Sequence, residues 1–264
     1  MTDSRAPRAV EDLYRSYGRH LAGRGRTEPD LAAARSDPKR FATPERWWPR
    51  ELDAKILDVG CGWGGDLLNL WAGGYRNLTG IDISEGNVEV AQRCTPGEVT
   101  VVRADAMEYL AGHEGEYDLV LCLDVLEHFE VAEGLRLATL MHGAVRPGGR
   151  CVVRTPNMGS LLGSFSRHLD LTHRAGFTED SLRQLLDAAG FESHETLPPP
   201  MPRLFRGWRP WVPWRGFAVQ ERLRRRLNSL LHRIVFALRG QRGQSCYEMN
   251  VTVRSRRSPG EARS

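Results

Sequence analysis

Lysine is all but missing from this chain: Lys39 and Lys55 are the only two, and arginine supplies nearly all of the positive charge. That skew fits a GC-rich coding sequence as readily as a functional demand, so the net charge of +4 says little by itself. No uninterrupted apolar run reaches the ~18 residues that a membrane span needs. The opening stretch MTDSRAPRAVEDLYRS also lacks the apolar core of a secretory leader. The cysteines Cys61, Cys94, Cys122, Cys151 and Cys246 are scattered without metal-ligand spacing. This argues against a zinc cluster or a disulfide framework and reads as reduced thiols in a cytoplasmic protein. Acid is scarce in one place: between Met201 and Arg242 arginines abound and Glu221 is the sole carboxylate. This local excess of charge matters more than the total.

What the chain does have is enough apolar material, 41% of 264 residues, for one large domain with additions. Its central stretch is ILDVGCGWGG, from Ile56 to Gly65. Ile56 and Leu57 read as the end of a buried strand. Asp58 opens a turn dense in glycine, with Gly60, Gly62, Gly64 and Gly65, and Asp66 to Trp71 carry apolar residues at helical spacing. Strand, glycine turn and helix together make the nucleotide-binding half of a Rossmann-like sheet. The glycines let a ligand reach main-chain N–H groups at the start of a helix. The acid beside them would repel a pyrophosphate but suits a ligand bearing an ammonium, such as the methionine end of S-adenosylmethionine.

Two further strands repeat the arrangement. Leu78 to Ile81 ends at Asp82, about 20 residues on, where an acid can accept two bonds from a ribose diol or cap the next helix together with Ser84. Val99 to Val102 leads to Asp105-Ala106-Met107. Acids at three successive strand tips, Asp58, Asp82 and Asp105, form a register that capping alone does not explain.

This pattern resembles the class I S-adenosylmethionine-dependent methyltransferases, in particular the small-molecule and sugar O-methyltransferases of the ubiquinone-biosynthesis-like group. The resemblance implies an α/β Rossmann-like fold of seven strands, six parallel with an antiparallel seventh, helices on both faces, an N-terminal helical cap and an inserted C-terminal helical lid. It implies S-adenosyl-L-methionine as cofactor. Asp58, Gly60, Gly62 and Gly64 would meet the methionine end, Asp82 and Ile83 the ribose, and Asp105 and Ala106 the adenine, with Met107 covering the ring. Leu123 and Asp124, after the fourth strand Tyr117–Leu123, would line the methyl-transfer site. An NAD-type domain and a catalytically silent relative of the same fold stay open, as do N- and C-methylation.

Two histidines compete for the acceptor's proton. His173 lies in the run Asp170-Leu171-Thr172-His173-Arg174, where Asp170 is placed to orient it. His128 follows Asp124 and Glu127 at spacings that one helical turn gathers. That set resembles the Glu…Glu-His metal-binding turn of the ubiquinone-biosynthesis enzymes, with aspartate in first place. The shorter arm argues against a metal, so no divalent ion is expected, and His128 is left as a cap, a base or a ligand.

The expected layout is a cap at 1–52, a core at 53–197, an insertion at 198–244, a last core strand at 245–254 and a disordered tail at 255–264. Trp47 and Trp48 are placed either over the ligand mouth or against the sheet. In the insertion, Trp208, Trp211 and Trp214 precede a leucine-rich stripe from Leu223 to Leu238 flanked by arginines. This suits a lid that also rests on an anionic membrane, peripheral at its inner face. The expected partner is a small-molecule or glycan acceptor; nucleic acid is disfavoured for want of a recognised module. Nothing in the sequence indicates an oligomeric state.

Overall fold

A computed structural model describes residues 28–30, 32, 47–160, 163–197 and 250–258. Most of the expected cap, the whole 198–244 insertion with its tryptophans and leucine stripe, and residues 259–264 lie outside the described residues. The elements run β1 (Lys55–Val59), α1 (Gly65–Ala72), β2 (Asn77–Asp82), α2 (Glu85–Cys94), β3 (Thr100–Arg103), α3 (Ala106–Ala111) and β4 (Tyr117–Leu123). A 3-10 turn (Leu126–His128), α4 (Val131–Ala144), β5 (Val145–Pro156), α5 (Gly163–His168), α6 (Glu179–Ala188), β6 (Glu192–Thr196) and β7 (Asn250–Arg256) follow.

The strands form one sheet in the order β3-β2-β1-β4-β5-β7-β6. β7 pairs antiparallel with both β5 and β6, and every other pairing is parallel. The seven-stranded sheet with one reversed strand is therefore as the sequence implies. Its centre is buried on both faces, which is why its strands read as continuous apolar runs. Side chains nevertheless alternate between layers: Leu119 and Leu121 of β4 face a cluster with Ile56, Leu67 and Leu70, whereas Val120 and Cys122 face one with Leu137, Met141 and Leu186. Burying each such leucine contributes roughly 1.5–3 kcal/mol. Trp47 is fully buried in the first of these layers and Trp48 packs against it, so their place is against the sheet and not over a ligand mouth.

The last strand departs from expectation. It continues to Arg256, two residues past the expected boundary at 254. Arg257 then anchors the chain, its Nη1 donating to the carbonyls of His142 (3.2 Å), Gly143 (2.8 Å) and Val145 (2.8 Å). Residues 255–258 are therefore strand and staple rather than disordered tail. The polar run Arg254-Ser255-Arg256 hides this, because main-chain pairing on both sides holds β7 whatever its side chains.

Strand order reverses between β1 and β4, and the carboxyl ends of β1, β2, β3 and β4 open onto one crevice. In open α/β sheets that switch point is where ligands bind.

Candidate active site

The glycine turn leaves β1 with Gly60, Gly62 and Gly64 all at positive φ (70°, 55° and 78°). At Gly60 the need is twofold, since a Cβ there would also lie 2.4 Å from Val125 Cγ2. The main chain of the turn is tied to β2, with Gly60 N and Cys61 N both donating to Ile81 O (2.8 and 2.9 Å). Asp82 completes the tie. Its Oδ2 accepts from Gly62 N (2.9 Å), and its Oδ1 from Ser84 N (2.8 Å) and Asn87 Nδ2 (3.2 Å). One buried carboxylate thus sets both the turn and the entry to α2, whose cap is Ser84.

Around this turn lies a cavity of about 340 Å³. Asp58, Asp66, Asp82, Asp105, Asp124 and Glu133 line it, against Arg154 and Arg174. Burial, followed by the neighbouring Asp66, holds the Asp58 carboxyl well above the usual carboxylate range. So acidic a lining opposes a polyphosphate and fits a ligand carrying an ammonium and a sulfonium. Asp105 caps α3, its Oδ1 accepting from Met107 N (2.8 Å) and Glu108 N (3.1 Å), which leaves Oδ2 outside the cap. Ile83 stands at the same wall, 54% exposed.

The other end of the cavity is built by the segment after β4. Asp124 holds a φ of 60°, a left-handed conformation that aspartate tolerates better than most residues. Its carboxylate is gripped by Arg154 from the neighbouring strand, with Nε at 3.1 Å from both oxygens and Nη2 at 2.6 Å from Oδ2. The 3-10 turn then buries Glu127 and sets His128 in the cavity wall. Burial and the nearby Asp124 push the Glu127 carboxyl up to about 8. The Glu127 carbonyl accepts from Arg174 N (2.7 Å) and Ala175 N (3.0 Å), which draws the 170–175 loop onto the turn.

That loop fixes both imidazoles. Thr172 Oγ1 donates to Asp170 Oδ1 (2.6 Å), so it accepts from His128 Nδ1 (2.8 Å). His173 Nδ1 donates to the carbonyl of Ser166 (3.1 Å). Each ring therefore carries its proton on Nδ1 and its lone pair on Nε2. The rings meet edge to face with centroids 5.0 Å apart. Burial lowers the pKa of both; His173 lowers that of His128 further, and both rings are neutral near pH 7. Burial alone would raise the pKa of Asp170, but the hydrogen bonds from Thr172 outweigh it and keep the carboxyl ionised.

Known proteins bear on this geometry. A family model described as a methyltransferase domain matches residues 29–196, more than half of the chain. The chain belongs to this methyltransferase family. The ubiquinone biosynthesis O-methyltransferase of Aromatoleum aromaticum is 37% identical over 106 residues, which cover 39% of this chain and 44% of that protein. The enzyme of the same name from Pseudomonas aeruginosa (strain UCBPP-PA14) is 31% identical over 142 residues, covering 44% of this chain and 60% of that one. The chain thus spans less than two thirds of the length of these curated relatives. Among solved structures, an S-adenosylmethionine-dependent methyltransferase from Archaeoglobus fulgidus aligns with a TM-score of 0.56 at 20% identity, covering 78% of this chain and 86% of that one. A possible histamine N-methyltransferase from Thermotoga maritima aligns with a TM-score of 0.59 at 14% identity, covering 93% and 100%. These likenesses carry the fold.

Most of the residues that the sequence assigns to this methyltransferase's site share the cavity: Asp58, Gly60, Gly62, Asp82, Ile83, Asp105, Ala106, Leu123, Asp124 and His128 all line it. Four expectations are corrected. Gly64 is not in the lining; it lets α1 approach α2, where a Cβ would meet Thr95 Cγ2 at 3.0 Å and Ala91 Cβ at 3.2 Å. Met107 packs into the core, which leaves Ile83 as the exposed apolar face. His173 stands behind His128 and outside the lining, and Asp170 orients His128 through Thr172 rather than orienting His173. Finally, Asp124, Glu127 and His128 do not assemble as a ligand set, because Asp124 is turned to Arg154. Arg154 was missed although it breaks an otherwise apolar strand pattern, and Thr172 was missed although it precedes a candidate histidine.

Proposed function

We propose that this chain is an S-adenosylmethionine-dependent methyltransferase that methylates a hydroxyl of a small molecule, either a sugar or glycan or a natural-product scaffold. The observation that carries the reading is the single cavity, acidic where a cationic cofactor would lie and walled by neutral His128 where an acceptor would enter. The O-methyltransferase names of the curated relatives support oxygen as the acceptor atom.

In this reading Asp82 serves the ribose diol while keeping its main-chain bonds, since each carboxylate oxygen has capacity for a second donor. Asp105 Oδ2 takes the adenine amine, and Ile83 loses its exposure beneath the ring. The main chain at Gly60 and Gly62 and the acids Asp58 and Asp66 receive the amino-acid end. When bound, the cofactor supplies a methyl carbon on a sulfonium, whose C–S bonding electrons stay with sulfur as the acceptor oxygen takes the methyl. Arg154 holds Asp124 at the rim, and His128 accepts the hydroxyl proton on Nε2. Orientation supplies on the order of 7–11 kcal/mol of such a barrier, against ~10²–10⁴-fold for a base. Cavity geometry should therefore outweigh any one side chain.

The arginine-rich 198–244 segment is proposed as a lid that also touches anionic membrane, on its sequence alone. Flotation with anionic liposomes should carry the full chain upward; failure to do so removes the membrane contact and leaves the enzyme reading intact. Incubation with methyl-labelled cofactor and paired hydroxyl and amine acceptors tests the reaction. Label should appear in alkali-stable ethers. Label confined to amines would overturn O-methylation, and cofactor binding without transfer to any acceptor would favour a silent binding protein.

A further inference from the structure

We propose that Glu127, His128 and His173 form a site for one divalent transition-metal ion at the acceptor end of the cavity. Their ligand atoms lie within 4.8 Å of one another. An ion with Zn-like bonds of ~2.1 Å would draw them somewhat closer, within reach of side-chain rotation.

Three observations point to a ligand and not to chance proximity. The first is the state of the imidazoles. Nδ1 of His128 is committed to the Thr172–Asp170 pair and Nδ1 of His173 to the Ser166 carbonyl. Fixing one ring nitrogen as donor to a hydroxyl, carboxylate or carbonyl is how metal-binding histidines are oriented, with Nε2 as the ligating lone pair. The second is Glu127, which is 2% exposed. Its Oε2 is buried with no hydrogen-bond partner among the described residues. Leaving a buried carboxylate oxygen unpartnered is expensive, and a cation removes that cost. The third is the way the two segments are joined. Arg174 N and Ala175 N both bond the Glu127 carbonyl, so the chain on either side of the cluster is held in register before any ion arrives.

The donor set differs from the aspartate–glutamate–histidine turn that the family resemblance suggests. Asp124 is consumed by Arg154, and His173 from the loop replaces it. Two imidazoles and one carboxylate favour zinc, cobalt, manganese or iron over magnesium, which prefers an all-oxygen shell and keeps its waters. Three protein ligands leave positions open, and His128 lies in the cavity wall, so those positions face the acceptor. A cation there supplies Lewis acidity to a hydroxyl held at an open position. His128 then serves as ligand instead of base, a difference that apo and loaded protein would separate.

The inference stands on the cluster's own geometry, and its test needs neither cofactor nor acceptor. Untagged full-length protein, freed of metal by chelator dialysis, is titrated with Co²⁺ while visible absorption is recorded, and separately with Mg²⁺ by calorimetry. One Co²⁺ per chain with ligand-field bands is expected, and no Mg²⁺ uptake at the same concentrations. His173→Ala and Glu127→Gln should each weaken Co²⁺ at least ~10-fold, whereas Asp124→Asn should stay within ~3-fold of the parent. Thermal melts confirm that each variant is folded. Failure to bind Co²⁺, binding that His173→Ala leaves unchanged, or an Asp124→Asn loss as large as that of His173→Ala would each overturn the site.

Discussion

At Gly60 and Thr172 the smallest changes should have the largest consequences. Gly60→Ala must fit a Cβ 2.4 Å from Val125 Cγ2 at a φ of 70°. Overpacking and backbone strain together cost about 2–4 kcal/mol, read as a lower denaturation midpoint. Adding Val125→Ala should recover the packing share and leave the backbone share. Thr172→Val removes the hydroxyl that links His128 to Asp170. Turnover should fall roughly 10-fold or more with cofactor affinity unchanged, and Thr172→Ser should recover most of it. Equal loss in the serine variant would show that shape and not the hydroxyl matters there. The acids Asp58, Asp82 and Asp105 could be read from the sequence because each follows a buried strand by a fixed step. The Asp124–Arg154 pair could not: it depends on Leu123 facing Arg154 across β4 and β5, a register set by the folded sheet.

The elements were legible in proportion to their burial. β1 and β4 are apolar nearly throughout and stand where the sequence places them. The turn after β4 is a 3-10 segment and not a full helical turn, so residues at spacings of three and four no longer share one face. The end of β7 is polar yet central, and Arg257 closes it against α4 and β5. Arg257→Ala should cost about 1–3 kcal/mol in chemical denaturation. Ending the chain after Arg254 should cost more than ending it after Ser258, since only the former removes paired strand. Equal stability of the two truncations would return 255–258 to the status of a tail.

Across the whole molecule, the sheet gathers onto one crevice residues that lie far apart in sequence, and the reversal between β1 and β4 determines which end of the sheet does so. The cofactor half was legible because it rests on consecutive strand-turn-helix units. The acceptor half was less so, because it depends on the 170–175 loop docking on Glu127 through main-chain bonds that no side-chain pattern announces. The account's central claim is that the acid-lined cavity is shaped for an adenosyl sulfonium. Titration calorimetry of the full chain with S-adenosylmethionine, its demethylated product and NAD tests this most directly. One site for each of the first two is predicted, weakened at least ~10-fold by Asp82→Ala, with no heat from NAD. A folded protein that takes up NAD, or neither adenosyl compound, would contradict it.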